Sequence, residues 1–239
     1  MNELLIQSVE IDWDQISADS YLRRIPAVSA ISEWTFRKPV TFFSGENGSG
    51  KSTLLEAIAV AYGFNPEGGT RNYCFSTRDS HSVLGDAMRL VKGYRNENRG
   101  YFLRAESFYN VATAEEEYTR LGGVPAHFHE RSHGESFLHV VQSAFSGGGL
   151  YLLDEPEAAL SSQRQLTLMI EISRCIKEDA QFIIATHSPI LLGFPDAEIL
   201  SFDGSTIRTV PYEETESFQI TRLFITRREQ MLRQMEILS

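Results

Sequence analysis

Gly45-Glu46-Asn47-Gly48-Ser49-Gly50-Lys51-Ser52-Thr53 satisfies the pattern G-x-x-x-x-G-K-[ST] at every fixed position. Its flanks decide how the stretch is read. Before it, Pro39-Val40-Thr41-Phe42-Phe43 is short, β-branched and aromatic, the composition of a buried strand. After it, Leu54-Leu55-Glu56-Ala57-Ile58-Ala59-Val60-Ala61 consists mostly of strong helix formers. Strand, glycine loop and helix, in that order, turn a text match into an expected phosphate site. The glycines let backbone N–H groups close around a polyphosphate, and the helix N-terminus adds a field that favours negative charge. In that arrangement Lys51 reaches the β- and γ-phosphates, and the Ser52 hydroxyl ligates Mg²⁺.

The chain of 239 residues suits one large domain, or a core with a subdomain, and is read as a single domain over 1–239. Hydrophobic content of 42% and charged content of 23% are those of a globular protein in water. No apolar run approaches the length of a bilayer span. Met1-Asn2-Glu3-Leu4-Leu5-Ile6 lacks the basic and apolar regions of a signal peptide. Cys74 and Cys175 are far apart, without metal or redox spacing, and fit a reducing cytoplasm. The expected location is therefore cytoplasmic. A formal net charge of -10 disfavours unspecific binding to nucleic acid or anionic lipid by the surface as a whole. It leaves room for a local basic patch. Arg222, Arg227, Arg228 and Arg233 gather near the C-terminus and read as a solvated helix face.

Upstream of the glycine loop, Leu4–Ile11 and Ala30–Phe36 alternate as strands do and predict an antiparallel layer beside the nucleotide sheet. Tyr21, Trp34 and Phe36 are candidates to stack on an adenine, against the commoner reading of core aromatics. Downstream, Val83, Leu84, Ala87, Met88 and Val91 have helical spacing and predict a helix over 81–98. Tyr101–Phe108 reads as a strand with a polar end. Residues 111–130 read as an acidic, Gly-rich helix and loop, and 131–148 as a polar loop feeding a helix that ends at Gly147-Gly148-Gly149.

Leu150-Tyr151-Leu152-Leu153-Asp154-Glu155 has four apolar residues followed by two carboxylates, a buried parallel strand that presents acids at its C-terminal end. A long helix follows from Ala158 to Lys177, with Leu160, Leu166, Met169, Ile172 and Ile176 expected on its inner side. Gln181–Ala185 is a second buried strand, ending in Thr186-His187-Ser188. Residues 198–212 read as two short strands around Asp203-Gly204, and 213–239 as an acidic start and an amphipathic helix. Glycine loop, acid pair and histidine thus all fall at carboxyl ends of strands, where ligands sit in open α/β sheets. Asp154 suits a carboxylate that holds Mg²⁺ together with Ser52. Glu155 suits a base for the water attacking a γ-phosphate, and His187 a hydrogen-bond sensor of that phosphate.

With these residues in place the chain resembles the ABC-type ATPases, and their soluble branch (SMC-like, RecF-like and OLD-like) more than their transporter branch. Gly45–Thr53 stands as Walker A, Leu150–Glu155 as Walker B with its glutamate, and His187 as the switch histidine. Arg131-Ser132-His133-Gly134-Glu135 occupies the place of the L-S-G-G-Q/E signature loop; Arg131 replaces leucine and His133 the first glycine. The S-H-G-E-S form is similar to that of small bacterial predicted ATPases of the AAA/ABC class. The resemblance implies an α/β P-loop NTPase fold: an ABC-type core with a mostly parallel sheet, an antiparallel N-terminal layer and a small helical lid over about 64–148 that carries the signature. It implies ATP and Mg²⁺ as ligands. It also implies an ATP-dependent homodimer in which Ser132 and Gly134 of one copy complete the phosphate shell of the other. The lid glutamine of the family has no counterpart between Gln15 and Gln142, and Glu106 is its best positional substitute. The D-loop would be Ala158-Ala159-Leu160-Ser161, without the family's aspartate.

Three functions compete. The first is an ATP-hydrolysing switch that dimerises on ATP and acts on a partner protein not identified by the sequence. The second is the nucleotide-binding subunit of a membrane transporter, disfavoured by the missing glutamine and altered signature. The third is a DNA-associated maintenance or defence ATPase. Too few residues separate Gly48 from Ser132 for the coiled-coil arms of SMC-type proteins, and the net charge does not support nucleic-acid binding. The imidazoles of His127, His129, His133 and His139 are dense enough to raise a transition-metal site, but no clear further ligand accompanies them.

Overall fold

Among the described residues four strands are buried at every position, because both faces of the sheet they form are covered. The computed structural model describes residues 4–71, 83–95, 99–104 and 133–238, with the backbone alone for 133–136. In chain order the main elements are β1 (Ile6–Ile11), α1 (Pro26–Ser29), β2 (Glu33–Thr35), β3 (Val40–Ser44), α2 (Lys51–Tyr62), α3 (Val83–Asp86), β4 (Met88–Lys92), β5 (Gly100–Arg104), α4 (His133–Ala144), β6 (Leu150–Asp154), α5 (Ser162–Ile176), β7 (Gln181–Ala185), α6 (Pro189–Leu192), β8 (Glu198–Ser201), β9 (Arg208–Thr209) and α7 (Glu216–Gln234).

The larger sheet runs β5-β6-β7-β3-β8-β9; only β9, on β8, is antiparallel. Successive residues of each strand feed opposite layers. Leu150 and Leu152 of β6 pack with α2 and β1, whereas Tyr151 and Leu153 pack with Phe137 and Val141 of α4 and with Leu168 and Ile172 of α5. An antiparallel sheet, β2-β1-β4, covers the first face beyond α2. Gln181 at the start of β7 ties the two sheets together. Its Oε1 accepts from Ile6 N at 2.9 Å and its Nε2 donates to Ile6 O at 3.0 Å, so the buried amide is satisfied at both ends.

The α/β architecture with its antiparallel N-terminal layer agrees with the sequence reading; several elements within it do not. The helix expected over 81–98 is one turn, α3, followed by strand β4. Apolar residues at 83, 84, 87, 88 and 91 fit either period. Pairing with β1, from Ile11↔Met88 to Ile6↔Lys92, gives the second half its hydrogen bonds and makes it a strand. The span 64–148 thus supplies β4 to one sheet and β5 to the edge of the other, while residues 105–132 lie outside the described part.

The long helix also begins later than Ala158. Pro156–Ala159 is a 3-10 turn, and Ser161 is the N-cap of α5, its side chain accepting from Arg164 N. The helix is rotated relative to the expected face. Gln165, Leu168, Ile172 and Cys175 point inward, and Leu166 is 52% exposed. The polar Gln165 is turned inward because its amide donates to Leu160 O and accepts from Ser188 Oγ at 2.6 Å. The C-terminal helix α7 has no buried residue; Leu223 and Phe224 are among its exposed apolar side chains. Phe36 is core. Of the aromatics considered for adenine stacking, Tyr21 is exposed and Trp34 half-buried.

Candidate functional site

The glycine loop takes its shape from β3 on one side and α2 on the other. Gly45 leaves the strand at φ 148, and Gly50, at φ 100, is the residue before α2. A Cβ at Gly50 would stand 2.6 Å from Val28 and 2.7 Å from Ile25, so α1 and its N-cap allow only glycine there. Gly48, at φ 82, faces open space, where the backbone can approach a ligand.

Lys51 is 3% exposed, and its Nζ donates to Gly45 O at 2.6 Å and Glu46 O at 2.8 Å. Burial pushes its amine below the ordinary lysine pKa, while the Glu155, Asp203, Asp154 and Glu157 carboxylates act in the opposite direction. The loop's start is pinned from just beyond β8: Asp203 Oδ1 accepts from Glu46 N at 2.9 Å, and Asp203 Oδ2 accepts from Ser201 Oγ at 3.1 Å.

One residue further along α2, Ser52 Oγ donates to Asp154 Oδ1 at 2.7 Å. This contact joins residues 102 positions apart in the chain. It exists because β3 and β6 lie on either side of β7 in the sheet, with their carboxyl ends level. A serine hydroxyl and a carboxylate oxygen are hard oxygen donors, the set that Mg²⁺ prefers, and they sit at the N-terminus of the helix that follows the glycine loop. The residues present therefore fit Mg²⁺ with a nucleoside triphosphate.

Glu155 has a left-handed backbone, φ 48, ψ 51, with its N–H on Ala185 O at 2.9 Å. That turn lifts its carboxylate clear of the strand end. It is 36% exposed in the side chain and 4.0 Å from His187 Nδ1. His187 follows β7 between the other two strands, half exposed.

Sequence reasoning passed over Glu157. Its Oε1 accepts from Thr186 Oγ1 at 2.7 Å and from His187 N at 2.8 Å, and lies 3.5 Å from His187 Nδ1. Glu157 thereby fixes the turn that carries the histidine. Its place in Asp-Glu-Pro-Glu was visible, but its partner is reached only through the pairing of β6 with β7. Glu157→Ala is expected to lower kcat by about 10²-fold through misplacement of His187, with KM for ATP nearly unchanged. Steady-state kinetics check this, and Glu157→Gln, which keeps the acceptor oxygen, should recover part of the loss.

Arg104 was also missed. It ends β5, opposite Asp154, and its Nε lies 3.5 Å from Asp154 Oδ2. The structure thus gathers Gly45–Thr53, Asp154, Glu155 and His187 at one end of the sheet. Ser132 and Glu106 fall outside the described residues. Gly134 lies in the first turn of α4, where only the backbone is described. Of the histidine cluster, His127 and His129 are likewise outside. Among the described residues no group of histidine, cysteine and acidic side chains is arranged to hold a metal.

Two family models match separate parts of the chain, "AAA domain" over residues 32–126 and "AAA domain, putative AbiEii toxin, Type IV TA system" over residues 136–193. No curated protein sequence matches it. Among solved structures, one described as "an inward-facing conformation of a putative metal-chelate type ABC transporter" aligns with a TM-score of 0.50 at 17% identity, over 94% of this chain and 90% of that one. CbiO1 from Clostridium perfringens, part of the ABC transporter complex cbiONQ, aligns with a TM-score of 0.50 at 15% identity, over 98% and 99% of the two chains. The SMC head domain from Thermotoga maritima aligns with a TM-score of 0.45 at 14% identity, over 87% and 99%. Two separate stretches of the chain thus resemble AAA domains, and its fold is shared with the two ABC transporter structures. Among the described residues no helix is long and apolar enough to cross a membrane.

Proposed function

We propose that this protein is an ATP-hydrolysing switch that pairs with a second copy of itself around ATP and acts on a partner protein. The observation that carries the reading is the hydrogen bond from Ser52 to Asp154, with Glu155 at the next position and His187 on the adjoining strand. It unites metal-holding oxygens, a base and a phosphate sensor at the mouth of one glycine loop.

ATP would lie with its phosphates against the loop N–H groups and the N-terminus of α2. Lys51, now turned onto the carbonyls of Gly45 and Glu46, would exchange them for phosphate oxygens. Mg²⁺ held by Ser52 and Asp154 would supply neutralising charge to the β- and γ-phosphates. Glu155, exposed enough to meet solvent, would take the proton of the attacking water as that oxygen bonds to the γ-phosphorus and the bond to the bridging oxygen breaks. His187, held by Glu157, would donate to the γ-phosphate and lose that contact once phosphate leaves. Glu155, just past the end of β6, would then act as the base and Lys51, at the start of α2, as a phosphate ligand.

The likeness in fold to ABC transporter chains supports completion of the site in trans, with Ser132 and Gly134 of one copy placed on the phosphates of the other. A site built this way makes turnover depend on encounter between copies. Specific ATPase activity is therefore expected to rise with protein concentration until the paired state saturates, and to stay flat if each chain works alone. The assay is phosphate release across a wide range of protein concentration, with size measured in parallel.

A further inference from the structure

Arg104 is the residue at the site whose chemistry the proposed reaction leaves unused. It closes β5 in register with Asp154 of β6, and its side chain is 21% exposed. Nη1 donates to Glu56 Oε2 at 2.7 Å and to Pro66 O at 3.2 Å, while Nε faces Asp154 Oδ2 at 3.5 Å. The other oxygen of that carboxylate is the one that accepts from Ser52. Ser52 and Glu56 stand one turn apart on the same face of α2. The four side chains make a closed ring: Ser52, Asp154, Arg104, Glu56 and back along α2 to Ser52.

We propose that Arg104 is a positioning residue for the Mg²⁺-holding pair: braced by hydrogen bonds to Glu56 and Pro66 O, its guanidinium attracts one oxygen of Asp154 across 3.5 Å, an ion pair without a hydrogen bond, and so keeps the other aimed at Ser52 and the metal site. An aspartate carboxylate rotates easily about its last bond. Mg²⁺ demands near-octahedral geometry at about 2.0–2.1 Å and tolerates a misaimed oxygen poorly. A planar guanidinium fixes direction as well as charge, which an ammonium does not. Charge explains the second acid. Arg104 alone would cancel Asp154 and weaken the attraction for a cation, whereas Glu56 restores one net negative charge to the ring. Glu56 therefore acts through Arg104.

This inference rests on the reading of Ser52 and Asp154 as the Mg-nucleotide site, and the test separates the two. A fluorescent ATP analogue is titrated into the full chain in EDTA and across a range of Mg²⁺ concentrations. Metal-free binding is carried by the loop N–H groups and Lys51. In Arg104→Gln, metal-free affinity should stay within about twofold of wild type, while the Mg²⁺ needed for half-maximal enhancement rises about tenfold, the usual scale for an outer partner of a metal ligand. Arg104→Lys should shift in the same direction. Arg104→Gln leaves Glu56 without its guanidinium, so the double variant Arg104→Gln/Glu56→Gln is measured as well. It should need at least as much Mg²⁺ as the single variant, because it also removes the negative charge that Glu56 contributes. A Mg²⁺ curve for Arg104→Gln that overlays wild type overturns the proposal. So does an equal fall of metal-free and Mg²⁺-supported binding in both variants, which would make Arg104 a support of the fold alone. Wild type that binds no nucleotide in either condition overturns the nucleotide reading and this inference with it.

Discussion

Glu155→Gln slows phosphate release and leaves the protein held as an ATP-bound pair: this is the expected outcome of removing the carboxylate proposed to take the proton of the attacking water. General-base catalysis contributes about 10²–10⁴-fold to such a step, so turnover should fall by that factor. Binding should survive, because Glu155 is bound into the turn by its backbone, through Ala185 O and Ala158 N, and glutamine keeps that backbone. The substitution also removes a negative charge 4.0 Å from His187 Nδ1, at the end of the sheet where the phosphates are proposed to lie, which favours retention of the nucleotide. Phosphate release and light scattering with saturating Mg-ATP measure the two consequences together. Normal turnover would remove Glu155 from the reaction, whereas a monomer with ATP bound would remove the second copy from the site.

Lys51→Ala should weaken ATP binding by about 3 kcal/mol, roughly 100-fold, the upper range for a hydrogen bond to a charged group. Lys51 lies at the point where the loop meets α2, and a lysine this buried holds its position without solvent competition. Without nucleotide its Nζ satisfies the carbonyls of Gly45 and Glu46, so the loop loses two internal hydrogen bonds in the variant as well. Thermal unfolding separates the two losses. A drop in affinity with a melting temperature close to wild type assigns Lys51 to the phosphates. A collapse of both assigns it to the shape of the loop.

The two substitutions draw on residues that were legible from the start. The glycine loop is contiguous and its pattern is complete within nine residues, so it is legible without knowledge of the fold, although the contacts that exclude a side chain at Gly50 come from α1. The runs ending at Asp154 and His187 were legible for a related reason. A strand covered on both faces must be apolar throughout, and the first polar residue after it then marks the open end of the sheet. Glu157 and Arg104 were not legible in the same way. Each depends on which strand lies beside which: Glu157 reaches Thr186 and His187 because β7 neighbours β6, and Arg104 meets Asp154 because β5 pairs with it in register. The 81–98 stretch failed for the complementary reason, since its spacing fits two periods and pairing with β1 chose between them. Gln165 on the inner face of α5 likewise reflects a partner, Ser188, that no local pattern names.

The amino-acid sequence by itself determined the glycine loop, the buried strands that carry an acid pair and a histidine at their ends, and the α/β class, because each rests on neighbours in the chain. Only the tertiary structure decided the strand order that brings Ser52 to Asp154, the grip of Glu157 on the histidine turn and the ring through Arg104 and Glu56. Those contacts join positions far apart in sequence, and their geometry is set by the packing of one sheet end against the first turns of α2.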